Sequence, residues 1–332
     1  MFATLYIVVV IILLAVMVGL HQKNTNAMCK SKKRLDGKTT IITGGTTGMG
    51  LKIAIDFAER GAKVIVACPY PEEGASAIKT VNDETGSKKA IYKYLDLASL
   101  DSVRNFAADI MNTEDRLDIL VNNAGVGIVG DFLTKDGLNF IMQVNYFGHF
   151  LLTLLLLPLL NKTGRPLEPT RIVNMSSILH NIGKIDLENL NKTNYWYKIQ
   201  IYAHSKLALV LFARELTCRL RDSRYTHVVI NSVDPGLVGT NIYYSAGSIR
   251  GVIIKFLCYT LCKTPWEGAQ TAIHVAMDKK AGEVSGEFFK NCKQATAHRS
   301  AYDEKVAKQL WEESVRLVKM NEKELNSCFL DL

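Results

Sequence analysis

The sequence predicts one α/β domain built on a doubly wound parallel sheet, with helices on both faces of the sheet. Two observations predict this fold class. Short β-branched runs alternate with stretches of helical spacing, which is typical of βαβ units. A glycine-rich segment, Thr43 to Gly50, lies directly between the first such run and the first helical stretch. With 332 residues, 48% of them hydrophobic, the chain can bury a full core without disulfide bonds.

The expected elements follow one another in a regular order. Strands are expected at Lys38–Thr43, Val64–Ala67, Ala90–Tyr94, Leu117–Val121, Arg171–Met175 and His227–Val233. Helices are expected at Gly50–Arg60, where Gly61 ends the helix, and at Leu100–Met111. No composition break and no repeat interrupts the chain between Gly37 and Leu317. We therefore expect a single domain over residues 37–317, followed by a C-terminal tail at 318–332.

An apolar segment, Ala3 to Leu20, precedes this domain and carries no charged side chain. At about 1.5 Å per residue, a helix of this length nearly crosses a hydrocarbon core of about 30 Å. A cleaved signal peptide is the competing interpretation, but it would place basic residues before the apolar run rather than after it. The segment 1–22 is therefore expected to be an uncleaved, single-pass transmembrane helix.

Basic residues follow the apolar segment in the linker 23–36, namely Lys23, Lys30, Lys32, Lys33 and Arg34. They supply much of the formal net charge of +8, whereas a nucleic-acid-binding protein usually carries basic residues across its fold. The positive-inside rule keeps such a cluster in the cytosol. We expect a membrane partner and no nucleic acid, with the main domain facing the cytosol from the endoplasmic reticulum or a lipid droplet.

The seven cysteines are scattered along the chain, without a C-x-x-C pair or a Cys/His cluster of zinc-ligand spacing. This distribution excludes a disulfide scaffold and argues against a structural metal. It fits a reducing compartment.

Two further apolar stretches are too short to span a bilayer. Phe150–Leu160, interrupted by Pro158, is expected to form a fully buried helix or an oligomer interface, and a homodimer is the expected assembly. Gly251–Leu261 contains Lys255 and is expected to be an amphipathic lid or an interfacial helix. An ordinary packed helix is the alternative for this second stretch.

Glycines in the segment Thr43 to Gly50 allow a tight turn and a close approach of the backbone to a pyrophosphate. The helix expected after this loop adds free N–H groups and the positive end of its dipole. No lysine follows the glycines, and their spacing is short, which argues against a P-loop of a kinase or ATPase. The segment therefore predicts a dinucleotide-binding loop.

Other motifs follow in order: Asp96-Leu97, Asn122-Asn123-Ala124-Gly125, Ser176-Ser177, Tyr202-x-x-x-Lys206, and Asp234-Pro235-Gly236 with Thr240. With the T-G-x-x-x-G-x-G loop, they make residues 35–317 resemble the short-chain dehydrogenases/reductases, whose fold is of the Rossmann type. The resemblance implies the catalytic residues Asn145, Ser177, Tyr202 and Lys206. It implies cofactor contacts at Thr43, Gly44, Thr46, Thr47, Gly48, Met49, Gly50, Asp96, Leu97, Asn123, Ala124, Gly125, Tyr202, Lys206, Pro235, Gly236 and Thr240.

The chemistry of these residue types agrees with that resemblance. Tyr202 and Lys206 are four residues apart, so on a helix they share one face. An ammonium beside a tyrosine favours the phenolate, which makes the side chain useful for proton transfer near neutral pH. Ser177 can donate a hydrogen bond to the same substrate oxygen, and a nicotinamide must supply the hydride. By resemblance, Lys206 also binds the nicotinamide ribose, and Asn145 supports a proton relay through water.

The gap from Ser177 to Tyr202 and the nearby His180 resemble the retinol-dehydrogenase-like branch of the family. So do the N-terminal segment with its basic flank and the run Thr264-Pro265-Trp266-Glu267-Gly268-Ala269-Gln270. This resemblance implies a lipophilic alcohol or aldehyde of retinoid or isoprenoid type. The alternatives are a hydroxysteroid dehydrogenase on the same fold and a lipid-membrane binding protein without turnover.

The second expected strand is followed by Cys68-Pro69, which departs from the family pattern. An NAD enzyme usually has an acidic residue near Cys68, and NADP-using relatives usually have an arginine where Pro69 stands. Because no acid repels a 2′-phosphate at Cys68, a modest preference for NADP(H) over NAD(H) is expected.

Several conspicuous side chains are not expected to take part in catalysis. The mechanism needs no histidine, so three histidines are expected to be ordinary helix or loop residues: His149, His180 and His204. Cys258 and Cys262 are helically spaced and are expected either to pack in apolar surroundings or to face lipid. Tyr195 and Trp196 are either a substrate wall or surface aromatics. The alternating charges from Glu304 to Lys323 indicate a solvated helix face.

Overall fold

The computed structural model describes residues 24–127, 130–195, 197–223, 227–239 and 262–329, with scattered positions between 6 and 21. The strands in these ranges are β1 (Thr39–Thr43), β2 (Lys63–Cys68), β3 (Ala90–Tyr94), β4 (Ile119–Asn122), β5 (Thr170–Met175), β6 (Val228–Asp234), β7 (Phe288–Lys290) and β8 (Lys293–Ala295). The helices are α1 (Gly48–Glu59), α2 (Pro71–Thr85), α3 (Leu100–Thr113), α4 (Phe140–Thr163), α5 (Lys198–Asp222), α6 (Pro265–Met277), α7 (Glu304–Leu317) and α8 (Glu322–Ser327).

Within these ranges the strands form one sheet in the order β3-β2-β1-β4-β5-β6-β7-β8. The pairs from β3 to β7 are parallel, and β8 pairs antiparallel with β7. The order reverses between β1 and β4, and ligands of such sheets bind at the carboxyl ends of the strands on either side of that reversal. The predicted doubly wound parallel sheet is confirmed.

The apolar strands separate two hydrophobic cores. Neighbouring residues of β1 point to opposite faces, so Ile41 belongs to one core and Ile42 to the other. The first core lies beneath α3, α4, α5 and α7, and the second lies beneath α1, α2 and α6. Burial on both faces explains why the strands contain continuous β-branched runs rather than alternating polar residues.

Helix α4 is long and apolar enough to cross a membrane, but 83% of its most hydropathic window is buried inside the protein. Its residues from Phe150 to Leu160 pack within the chain, apart from the half-buried Leu155. Of the two interpretations of this stretch, the structure supports the buried helix. The transmembrane helix predicted for 1–22 falls largely outside the described residues, and Gly251–Leu261 falls outside them entirely.

The C-terminal helices cover α4 and α5. Trp311 on α7 is 2% exposed and packs edge-on against Phe150, with ring centroids 5.1 Å apart. The guanidinium of Arg219 lies 4.3 Å from the centroid of the Trp311 ring. Helix α7 therefore has a packed face as well as the solvated face that its charges indicate.

Beyond it, α8 is attached to α3 by an ion pair between Glu324 and Arg104, 3.0 Å long.

The linker that precedes β1 lies along the domain. The side chain of Asn291 accepts a hydrogen bond from Ala27 N at 2.7 Å and donates one to Thr25 O at 2.7 Å. Gln270 Oε1 accepts from Cys29 N at 3.0 Å. These contacts hold the linker against α6 and the β7–β8 turn. The domain bounds 23–36, 37–317 and 318–332 remain predictions.

Removing the Trp311 side chain should destabilise the protein strongly. A Trp311→Ala variant leaves a cavity between α4, α5 and α7, and such truncations typically cost about 3–5 kcal/mol. Chemical denaturation of the full chain in detergent measures the loss. The matched control is Glu312→Ala, since Glu312 is exposed on the same helix and should change stability by less than about 0.5 kcal/mol. A similar, small effect of both variants would contradict the packing role of α7.

Candidate active site

The glycine loop between β1 and α1 is shaped by close backbone contacts. Gly44 and Gly48 have φ angles of +61° and +58°, a region that favours glycine. A Cβ atom on Gly44 would lie 2.9 Å from Ala124 Cα, and one on Gly50 would lie 2.3 Å from Gly44 O. The loop therefore passes directly over the end of β4, where a side chain on either glycine would displace it.

The amino end of α1 opens into a cavity of about 700 Å³. Thr47 is the N-cap, its side chain makes no capping bond, and the first turn carries no acidic residue. The free N–H groups and the helix dipole therefore face the cavity, as an anion site requires. The wall combines the glycine loop with the ends of β2, β3 and β4, and includes Thr46, Cys68, Pro69, Asp96, Leu97, Asn123, Ala124 and Gly125.

The Thr43 hydroxyl joins β1 to the end of β4. Its Oγ1 accepts hydrogen bonds from the backbone N–H groups of Asn123 and Ala124, both 2.9 Å long. It lies 2.9 Å from Nε2 of His149 on α4. The Asn123 side chain donates to the carbonyl oxygens of Thr43 and Gly44 at 2.8 and 3.1 Å. These bonds fix the floor of the cavity.

His149 is fully buried and links Thr43 to Asn145. Burial lowers the pKa of His149 to about 3, so the ring is neutral near pH 7. Its Nδ1 lies 3.1 Å from Asn145 O, which can only accept, so Nδ1 carries the proton and Nε2 accepts from the Thr43 hydroxyl. His149, expected to be an ordinary helix or loop histidine, thus makes two directed hydrogen bonds in the interior.

Asn145 lies in a π-helical turn of α4, Gln143–Phe147, and is completely buried. Its amide accepts from Val126 N at 2.8 Å and donates to Val126 O at 3.0 Å. The remaining amide proton is donated to Ser205 Oγ on α5 at 3.0 Å. The side chain therefore fastens the segment after β4 to the helix that carries Tyr202 and Lys206.

Ser177, Tyr202 and Lys206 line a second, smaller cavity of about 30 Å³. Met49, Asn123 and Gly125 line both cavities, so the two spaces adjoin each other.

Lys206 is 3% exposed, and its Nζ donates to Met175 O at 2.9 Å and lies 5.4 Å from the centroid of the Tyr202 ring. Burial lowers the pKa of Lys206 to about 8, so the ammonium persists at pH 7. A positive charge therefore lies beside the tyrosine, as the four-residue spacing predicted.

The two neighbouring serines make different bonds. Ser176 donates its hydroxyl proton to Lys206 O at 2.8 Å. Ser177 Oγ accepts from Leu179 N at 3.2 Å, and within the described part of the chain this leaves the proton of its own hydroxyl for another partner. Nδ1 of His180 lies 2.7 Å from Ser177 O, and Nε2 accepts from His298 N at 3.1 Å. His180 thus packs behind Ser177.

Comparison with known proteins identifies the family. Residues 38–248 match the family described as short chain dehydrogenase. The chain belongs to this family. It is 40% identical to retinol dehydrogenase 13 of Homo sapiens over 299 residues, which cover 89% of this chain and 88% of that protein. It is also 40% identical to polyprenol dehydrogenase of Danio rerio over 283 residues, with coverages of 85% and 87%.

The solved structure of the Pseudomonas aeruginosa RhlG/NADP active-site complex is similar to this short chain dehydrogenase. The match has a TM-score of 0.59 and a sequence identity of 25%, and it covers 77% of this chain and 95% of the other. These findings confirm the sequence-based assignment to an NAD(P)-dependent oxidoreductase that acts on alcohols.

Most predicted site residues of the dehydrogenase surround the two cavities. Pro235 and Gly236 lie at the smaller cavity, where Gly236 has a φ angle of +84°. Thr240 lies outside the described residues, as do Trp196 and Cys258. Tyr195 is half-buried against His204, with ring centroids 5.6 Å apart, and Cys262 is half-buried.

Sequence reasoning missed several residues of the cavity wall. These are Tyr70, Glu73, Tyr94, Phe140, Val144 and Pro265. Most of them follow a strand or begin a helix, and all but Pro265 lie outside the motifs quoted for the family. The sequence does contain one indication of Glu73: it is an acidic residue five positions after the end of β2, and so lies close to the carboxyl end of that strand.

The burial of Lys206 should reduce the stability of the dehydrogenase at neutral pH. The folded-state pKa of about 8 is below the ordinary 10.5, so the cost of burying the charge is complete below pH 8 and disappears as pH rises towards 10.5. A Lys206→Met variant should therefore be more stable at pH 7, by at most about 3 kcal/mol, and lose this advantage by pH 10.5.

Thermal unfolding of full chains across pH 7 to about 10.5 tests this expectation. The exposed Lys79 offers the matched control Lys79→Met, which should show no such pH-dependent gain. A Lys206→Met variant less stable than the wild type at pH 7 would contradict the argument.

Proposed function

We propose that this chain transfers a hydride between NAD(P)(H) and a lipophilic alcohol or aldehyde of retinoid or isoprenoid type. One observation carries the proposal: Ser177, Tyr202 and Lys206 surround one cavity that shares its wall with the glycine-loop cavity. A reacting group held between these side chains would adjoin a dinucleotide bound along the loop.

The residues at the larger cavity fit a nicotinamide dinucleotide. The open amino end of α1 suits the pyrophosphate, and the left-handed glycines keep the backbone clear of side chains. Asp96 and Leu97 would adjoin the adenine, while Pro235 and Gly236 would flank the nicotinamide. When bound, this cofactor supplies the hydride, which no side chain can donate. The similar Pseudomonas aeruginosa protein forms a complex with NADP, which supports the same class of cofactor here.

The side chains of the smaller cavity would manage the proton. Tyr202 would donate a proton to the substrate oxygen during reduction and remove it during oxidation. The Lys206 ammonium favours the phenolate form of that tyrosine, and Ser177 would donate a hydrogen bond that holds the oxygen in place. Asn145 is proposed to serve through its position, since its amide groups already bind Val126 and Ser205.

The substrate class is proposed from the relatives. Retinol and polyprenols are both isoprenoid alcohols, and the two relatives named for them cover most of this chain at 40% identity. Such substrates partition into membranes, which agrees with the apolar segment 1–22 and the basic linker after it. We propose a single-pass anchor in the endoplasmic reticulum or a lipid droplet, with the enzyme facing the cytosol.

A homodimer is also proposed. Any interface would lie away from the part of α4 that α7 covers, because Phe150 is already buried against Trp311 within one chain.

A Tyr202→Phe variant should retain dinucleotide binding while its turnover falls about 10²- to 10⁴-fold, since only the proton-transfer group is lost. Turnover of retinal, farnesal and a steroid ketone with NADH and NADPH, together with fluorescence titration of each cofactor, measures both effects. Tyr197→Phe is the matched control, because Tyr197 is 62% exposed and outside the cavity. Near-wild-type turnover of Tyr202→Phe would refute the assignment, and turnover of the steroid alone would favour a hydroxysteroid dehydrogenase.

Protease added to sealed microsomes should digest the catalytic domain, because the basic cluster after the apolar segment favours a cytosolic domain. Deletion of residues 1–22 should move much of the protein into the soluble fraction. Full protection of the domain in intact vesicles, with digestion only after detergent, would show the opposite orientation.

A further inference from the structure

The carboxyl end of β2 and the first turn of α2 form one wall of the larger cavity. Cys68, Pro69, Tyr70 and Glu73 all line it. In this type of sheet, the adenosine ribose of a dinucleotide lies near the end of the second strand, where an acidic residue binds the 2′-hydroxyl or a cation binds a 2′-phosphate. The side chains on this wall therefore determine which of the two dinucleotides is accepted.

Glu73 is held towards the glycine loop. Its Oε2 accepts a hydrogen bond from Thr46 Oγ1 at 3.2 Å, across the mouth of the cavity. The helix turn beneath it packs tightly on β3, because a Cβ on Gly74 would lie 2.2 Å from the ring of Tyr92. The start of α2 is thus packed against β3, and the carboxylate lies beside Thr46 of the glycine loop.

The charges around this cavity are of one sign. Among the described residues that line it, the charged side chains are Glu73 and Asp96, both acidic. Lys63 begins β2 at the opposite end of the strand and binds Glu114 at 2.7 Å. Lys52 on α1 is paired with Glu84 at 3.3 Å. A 2′-phosphate would therefore meet a carboxylate without a lining cation to offset the repulsion.

We infer that Glu73 is the specificity-determining residue of the cofactor site and makes this enzyme prefer NAD(H) to NADP(H). The inference rests on the proposed function. A ribose 2′-hydroxyl can donate to the Glu73 carboxylate, whereas a 2′-phosphate at the same place is repelled by it. Glu73 therefore reverses the preference for NADP(H) that the absence of an acid at Cys68 predicted. The acidic residue stands five positions later, on α2.

Equilibrium binding tests the inference without turnover. NADH and NADPH are titrated into full-length protein in detergent, with nicotinamide fluorescence and calorimetry as readouts. The wild type should bind NADH at least about tenfold more tightly than NADPH. Because Glu73 is exposed, the difference should narrow as salt is raised, since screening weakens the repulsion.

Three variants separate charge from shape. Glu73→Gln keeps the size and the acceptor for Thr46, and should bring the two affinities to within about threefold. Glu73→Lys should reverse the preference towards NADPH. Glu72→Gln removes a carboxylate from the neighbouring, exposed position that does not line the cavity, and should leave the wild-type ratio unchanged.

The possible failures are distinguishable. A wild type that binds NADPH more tightly, or a ratio that Glu73→Gln leaves unchanged, would overturn the inference while the proposed function stands. Binding of neither dinucleotide by the wild type would overturn the proposed function and the inference with it.

Discussion

The hydroxyl of Thr43 ties together the two strands between which the sheet reverses its order. By accepting the N–H groups of Asn123 and Ala124, it holds the end of β4 against the end of β1. The glycine loop can then pass over Ala124 at a distance that no side chain on Gly44 would permit. The glycine loop and the end of β4, which both line the larger cavity, depend on this one buried contact.

A chain of hydrogen bonds continues from that contact to α5, the helix that carries Tyr202 and Lys206. His149 accepts from Thr43 and donates to Asn145 O, and the Asn145 amide binds Val126 and Ser205 on α5. The side chains of Thr43, His149, Asn145 and Ser205 are all buried, where an unmatched polar group is costly and a matched network defines a single arrangement. The loop that would hold the cofactor and the helix that carries Tyr202 are therefore positioned by one continuous network.

The sequence predicted the parts of the molecule whose composition reflects burial. Strands β1 to β6 were predicted to within a few residues because β-branched and other apolar runs leave a strong signal where strands are buried on both faces. Helix α2 begins Pro-Glu-Glu-Gly and ends in polar residues, and its buried residues are small, namely Gly74, Ala77 and Val81, so few apolar residues mark it in the sequence. The three-residue strands β7 and β8 are too short for a pattern, and the π-helical turn at Asn145 has no composition of its own. The catalytic candidates were found through motifs, whereas Glu73 belongs to no motif and only its position shortly after β2 points to it.

The burial of the Lys206 ammonium lowers the stability of the fold but serves the proposed proton transfer at Tyr202. The ammonium is buried at the carboxyl end of β5, where the carbonyl oxygen of Met175 is its acceptor among the described residues. Gly125 lies beside this ammonium, since a Cβ there would be in contact with both Nζ and Asn145 Oδ1 at 3.4 Å. A charge in such a site destabilises the fold, and its removal relieves that cost. The same low-polarity surroundings strengthen the attraction between the ammonium and a phenolate at Tyr202. The burial that lowers the pKa of Lys206 is therefore the condition under which its charge can act on the tyrosine.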